Sequence, residues 1–126
     1  MKVVVDTSGW YAFVVIKDYQ HKGAVKFLRS GEHELVVIEP VFIEATALIQ
    51  NRQGKSLAVE SGSKLMKIGV KRMEKSDKEA TWDWFKKVGG KVSYVDCLVA
   101  MTAKKLGVPV FSFDSDFKKL GIRVVP

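Results

Sequence analysis

The segment from Lys91 to Phe117, KVSYVDCLVAMTAKKLGVPVFSFDSDF, restricts the fold of this chain more than any other. Ser93 stands where a helix cap is needed. Asp96, Leu98, Val99, Met101, Thr102 and Leu106 follow on that helix, until Gly107 and Pro109 end it. The next run, Val110 to Phe113, is short, apolar and aromatic, which suits a strand buried on both faces of a parallel sheet. Asp114 and Asp116 come just past its carboxyl end, where open α/β sheets hold their ligands.

The rest of the chain repeats the alternation of strand and helix. Lys2 to Val5 is a β-branched strand ending at Asp6, and Thr7-Ser8-Gly9 opens a helix with Trp10, Phe13 and Val14 at helical spacing. After a polar junction from Asp18 to His21, a second helix carries Ala24, Val25, Phe27 and Leu28 on its inner face. Leu35 to Ile38 is a strand, and Pro40 occupies the first turn of the helix that follows. Asn51 to Lys55 reads as a basic, Gly-containing turn able to touch phosphate. A helix over about residues 57–67 has Leu57, Ala58, Leu65 and Ile68 as its core, and Gly69 to Met73 is a weak strand. The helix from Asp77 to Lys87 carries Trp82, Trp84 and Phe85, a density of aromatics that belongs to a core or a subunit interface. A short helix over Phe117 to Leu120 and a strand over Ile122 to Val125 finish the chain. This alternation predicts an α/β protein, a three-layer α/β/α arrangement around a central parallel sheet, with residues 1–126 forming one domain.

Composition excludes several classes. With 47% hydrophobic residues the chain is not disordered, and no apolar run approaches a membrane span. The N-terminus lacks a signal-peptide layout, and a lone Cys97 allows no internal disulfide, so a cytoplasmic location is expected. Cys97 lies in an apolar helix with no activating His, and is read as packing. His21 has no second ligand at metal spacing and is read as a surface or capping residue. The formal charge of +7 is spread over the whole chain and favours polyanionic partners, RNA or DNA above all.

Against that basic background, five acids stand out by position. Asp6 follows the first strand, Glu44 shares a helix face with Val41, Ala47 and Leu48, Asp96 lies near a helix start, and Asp114 and Asp116 follow a strand. Locally, Asp6 is an N-cap, Ser93 with Asp96 has capping-box spacing, and Glu44 can be explained by a buried ion pair. Those local roles leave the shared placement at strand ends and helix starts unexplained. Two carboxylates about 4 Å apart repel by roughly 4 kcal/mol at an effective dielectric of about 20. A divalent cation removes that repulsion, and oxygen-only ligands select Mg²⁺ or Mn²⁺ over zinc. An acidic metal site on a basic protein suits hydrolysis of a nucleic-acid phosphodiester by activated water.

The blocks VDTSGWYAFV, FIEATALI and SYVDCLVAMTAKKLGVPVFSFDSDF together resemble the PIN-domain family, and within it the VapC-type toxins of prokaryotic toxin–antitoxin pairs. The resemblance covers essentially the whole chain. It implies a Mg²⁺- or Mn²⁺-dependent endoribonuclease whose acidic site is Asp6, Glu44, Asp96 and Asp114, with Asp116 as a further acid. All five are matched as metal holders. Thr7 and Ser8 match the hydroxyls that follow the first Asp and would support the acidic residues from behind, and Ser112 matches a hydroxyl that supports the last Asp pair. The resemblance also implies an RNA substrate, a homodimer and a cognate antitoxin. The exposed aromatic and apolar content around Trp10, Tyr11 and the Trp82–Phe85 helix is then available to such partners, with core packing as the default.

Other classes fit less well. A phosphatase of the haloacid dehalogenase type needs an acid where this chain has Ser8. A dinucleotide-binding protein needs a Gly-rich fingerprint that follows no strand here. The remaining alternative is a catalytically weak or inactive PIN-like module that binds RNA or protein. Degenerate members of that kind usually lose one of the acids, and here all are present.

Overall fold

The computed structural model describes residues 1–126. Strand β1 (Lys2–Val5) is the centre of a five-stranded, fully parallel sheet. Around it lie β2 (Glu34–Ile38), β3 (Val70–Lys71), β4 (Val110–Phe111) and β5 (Val124–Val125), in the order β3-β2-β1-β4-β5. The chain leaves β1 towards β2 on one side and later returns to β4 on the other. The crevice at the carboxyl ends of β1 and β4 is therefore the switch point of the sheet.

Period-two alternation divides the strand residues between two cores, as a three-layer α/β/α fold requires. Val3 and Val5 of β1, Val37 of β2 and Phe111 of β4 join one cluster, and Val4, Val36, Ile38 and Val110 join the other. The first layer is supplied by α1 (Thr7–Val14), α2 (His21–Arg29) and α4 (Lys55–Ile68), through Trp10, Ala24, Ala58 and Leu65. The second comes from α6 (Tyr94–Leu106) and α7 (Asp116–Lys119), through Leu98, Val99, Ala103 and Phe117. Helix α3 (Glu39–Gln53) serves both, with Val41 in one cluster and Ala45 and Ile49 in the other. Each fully buried valine or leucine stabilises this arrangement by about 1.5–3 kcal/mol.

Several element boundaries differ from the sequence reading. Asn51 to Gln53 are the last turn of α3, and only Gly54, at φ +100°, breaks the chain before α4. Strand β4 ends at Phe111; Ser112 still donates its N–H to the Val125 carbonyl at 3.0 Å, while its hydroxyl turns to the Asp6 carboxylate at the end of β1. Ile68 closes α4 on the surface instead of in the core. On α5 (Lys75–Lys87), Trp82 is 48% exposed, with its ring tilted against Phe85 and edge-on to Tyr94. Its helix packs mainly on α6, not on the sheet, so no second layer covers that face. No helix is long and apolar enough to cross a membrane.

The joint between α1 and β4 is tight. A Cβ on Gly9 would lie 2.4 Å from the carbonyl oxygen of Phe111, so only glycine lets the first turn of α1 rest on the end of β4. Overpacking against backbone costs about 1–3 kcal/mol. Gly9→Ala is expected to lose that much stability, read from urea denaturation midpoints at unchanged slope. A neutral result would mean that α1 can move off β4 freely.

Candidate active site

Asp6 begins the site. It ends β1 and caps α1, and it is only 3% exposed. Its Oδ2 accepts hydrogen bonds from the Ser8 hydroxyl (2.8 Å), the Ser112 hydroxyl (2.8 Å) and the Ser8 backbone N–H (3.3 Å). The two hydroxyls are also 2.9 Å apart. Ser8 Oγ accepts from the Phe113 N–H and Ser112 Oγ from the Asp114 N–H, so the pair ties the loop after β4 to the start of α1. Burial pushes the Asp6 carboxyl above the ordinary carboxylate range, and the hydrogen bonds from Ser112 and Ser8 pull the other way.

Asp96 and Ser93 form a reciprocal capping box at the start of α6. The Asp96 N–H donates to Ser93 Oγ at 3.0 Å and the Ser93 N–H to Asp96 Oδ2 at 3.2 Å. Desolvation is the main cause that raises the Asp96 pKa. The hydrogen bond from the Ser93 backbone opposes it, and the charges of Asp6 and Asp114 raise it further. Asp114 accepts the Asp116 N–H on its Oδ1 at 2.9 Å, and Asp116 opens α7 with a 3.3 Å ion pair to Lys119. Carboxylate oxygens of Asp96, Asp114 and Asp116 lie within 4.8 Å of one another. At that spacing each ionised pair repels by roughly 3–4 kcal/mol at an effective dielectric of about 20.

Glu44 reaches the same crevice from α3, where its Oε1 accepts a 2.6 Å hydrogen bond from the Thr7 hydroxyl. The apolar face assigned to it is only partly buried, with Val41 inside and Ala47 exposed, and no buried ion pair forms. Indeed no lysine or arginine pairs with Asp6, Glu44, Asp96 or Asp114. These four acids line one cleft of about 400 Å³, while Asp116 joins the triad without lining the cleft. Asp18 adds a fifth acid to its wall, against Arg52 as the one cation there.

The sequence reading thus finds its acids and its three supporting hydroxyls close together. The partners are these: Thr7 holds Glu44, Ser8 holds Asp6, and Ser112 bridges Asp6 to the Asp114 backbone. Cys97 is buried beside Asp96, and burial together with that charge raises its thiol pKa, as a packing residue requires. His21 hydrogen-bonds the Ala12 carbonyl through Nδ1 and belongs to no cluster of ligands. Asp18 and Tyr19, from the polar junction after α1, also line the cleft, and so does Arg52, from the basic stretch Asn51 to Lys55 that the sequence marks as able to touch phosphate. Glu44, Leu48 and Arg52 repeat at helical spacing along one face of α3, and that signal finds Arg52.

The donor set fits a hard divalent cation: oxygen atoms only, three of them from separate carboxylates within 4.8 Å, and no basic side chain on Asp96 or Asp114. Comparisons with known proteins agree on the fold. Residues 3–122 match the PIN domain family model. Among solved structures the chain is similar to Mycobacterium tuberculosis VapC20, a Sarcin-Ricin loop cleaving toxin, with a TM-score of 0.89 and 24% identity over 98% of this chain and 99% of that one. At that identity the likeness speaks to the fold. No curated protein matches the sequence.

Because the native pKa values of Asp6 and Asp96 lie above the ordinary one, the folded state binds protons more tightly than the unfolded chain. Their contribution to stability is therefore full below the unfolded value and is lost as pH rises through the raised native values. All three bonds to Asp6 fall on one oxygen, which an asparagine carbonyl can replace. In chelator, Asp6→Asn is expected to melt above wild type at pH 7, with the difference shrinking towards pH 4. Melting curves across that range check the sign.

Proposed function

The chain belongs to the PIN domain family, and on that premise we propose that it is a Mg²⁺- or Mn²⁺-dependent endoribonuclease, the toxin of a toxin–antitoxin pair. The observation that carries this reading is a cleft lined by five acids and one arginine in a protein whose net charge is +7. The basic surface attracts a polyanion, yet the cleft repels phosphate unless a cation intervenes.

Asp96, Asp114 and Asp116 would hold that cation, with Asp6 and Glu44 completing the acidic wall. When bound, it supplies Lewis acidity to the scissile phosphate and lowers the pKa of a water molecule. The protein's own groups do the rest. Ser8 and Ser112 fix the Asp6 carboxylate by one oxygen and leave the other without a partner in the chain. Thr7 occupies one oxygen of Glu44, so the second can accept a proton from the attacking water. Hydrolysis then forms one bond from water oxygen to phosphorus and breaks the bond to the leaving ribose oxygen, which takes up a proton. No side chain of the cleft needs to act as a nucleophile.

The likeness to a toxin that cleaves the Sarcin-Ricin loop supports RNA as the substrate and an antitoxin as the inhibitor. We extend the reading to a homodimer in the cytoplasm, on the resemblance of the sequence to VapC-type toxins.

The test is cleavage of total cellular RNA with mapped fragment ends, in Mg²⁺, in Mn²⁺ and in chelator. Discrete cuts are expected for wild type, lost in chelator and reduced roughly 10²-fold or more in Asp96→Asn. An absence of cuts even with Mn²⁺ would favour the non-catalytic binding module. Metal alone should also raise the wild-type melting temperature, by about 2.7 kcal/mol of stability at a hundredfold excess over Kd. Asp114→Asn should show little of that gain, and an equal gain in both proteins would place the ion elsewhere.

A further inference from the structure

Two residues at the rim of the acidic cleft have no role in the chemistry above. Tyr19 is 90% exposed, more than any other large hydrophobic residue, yet it lines the cleft. Its ring stacks on no other aromatic group and carries no cation. The backbone beneath it is held on both sides. The Asp18 N–H donates to the Val15 carbonyl at 3.0 Å, the Gln20 N–H to Asp18 Oδ1 at 2.9 Å, and the His21 N–H to the Asp18 carbonyl at 3.0 Å. An apolar ring is thus held out into water on a pinned turn. Local packing does not account for it.

Arg52 is the second. It lies two helical turns beyond Glu44 on the same face of α3, about 12 Å along the axis by helix geometry. Its guanidinium rests over the Tyr11 ring, 5.5 Å from the centroid, and Gln53 holds that ring through a 3.1 Å hydrogen bond to the phenol oxygen. No carboxylate pairs with Arg52, although the cleft is lined with them. A stacked guanidinium keeps its edge donors in one plane, which is the geometry that receives two phosphate oxygens. Single-stranded nucleic acid is bound by this combination, a cation for the backbone and an open aromatic face for a base.

We propose that Tyr19 and Arg52 form a nucleotide subsite at the cleft rim, Tyr19 stacking on one nucleobase and Arg52 pairing with a phosphate adjacent to the one that is cut. The inference rests on the reading of the chain as a ribonuclease and adds to it the residues that place the strand. Stacking requires the base to be unpaired, so the subsite selects loops and single strands over duplex. Arg52 also gives the strand a fixed point outside the acid cluster, so its pairing does not disturb the groups that do the chemistry.

The experiment uses a short oligoribonucleotide spanning a mapped cut, and the same oligonucleotide with single abasic positions. Cleavage kinetics are measured with the intact protein, and binding by fluorescence anisotropy in the non-cutting Asp96→Asn background. Tyr19→Ala is expected to raise Kd and KM roughly tenfold with little change in kcat, and Tyr19→Phe to restore both. One abasic position should cost wild type the same factor and cost Tyr19→Ala nothing further. Arg52→Ala should lower the slope of log K against log salt by about 0.7, a change that a purely structural loss would not produce, and Arg52→Lys should keep the slope. An unchanged Kd in Tyr19→Ala, or abasic losses that simply add to it, overturns the subsite while RNA cleavage by wild type stands. A wild-type protein that neither cuts nor binds RNA overturns the ribonuclease reading and the subsite together.

Discussion

One buried carboxylate joins the parts of this molecule that have to meet. Asp6 ends β1, caps α1 and takes the hydroxyls of Ser8 and Ser112 on a single oxygen. Those hydroxyls in turn accept the N–H groups of Phe113 and Asp114, so the chain leaving β4 is fixed against the chain leaving β1. Hydrogen bonds to a charged group contribute about 1.5–3 kcal/mol each, which offsets part of the cost of burying the charge. The arrangement needs the close approach that Gly9 permits. Ser112 keeps its backbone bond to Val125 of β5 and serves the carboxylate through its hydroxyl, so the sheet and the site are fastened by the same residue.

Capping does not use up the carboxylates of this fold. Asp6 and Asp96 both stand at the starts of helices, where the macrodipole favours a negative charge by about 0.3–1 kcal/mol. Each gives one oxygen to its cap and has a second that the chain leaves unbonded. A helix start at the carboxyl end of a parallel strand thus supplies a carboxylate already oriented and partly compensated. The compensation is incomplete, since burial and mutual repulsion still raise the pKa of Asp96.

Most of this was legible in the sequence, for physical reasons. The strands are short runs of β-branched residues between polar breaks, and Asp6 and Asp114 fall at those breaks, while the Ser93 cap places Asp96 at a helix start, so all three could be located from the sequence. Ser93 and Gly107 marked both ends of α6 correctly. Local pattern fails where tertiary context decides. Nothing local distinguishes an exposed Trp82 from a buried Trp10, because the difference is whether a second layer covers the helix. The partner of Thr7 could not be read either, since it is Glu44, 37 residues away on another helix. Gly9 looked like part of a helix cap, and its real constraint is the backbone of Phe111.

The five acids are held with unequal firmness, and this divides their work. Asp6, Asp96 and Asp114 are tied to backbone N–H groups and move only if the sheet or its helices move. Glu44 rests on one side-chain bond from Thr7, on a half-buried stretch of α3 that continues to Arg52 at the cleft rim. The same helix therefore presents a carboxylate at one end of the cleft and a guanidinium at the other. With a cation held by the acids, a strand laid along α3 would meet two points of attraction about 12 Å apart. Two points fix the line and register of a polyanion, which the acid cluster alone does not do.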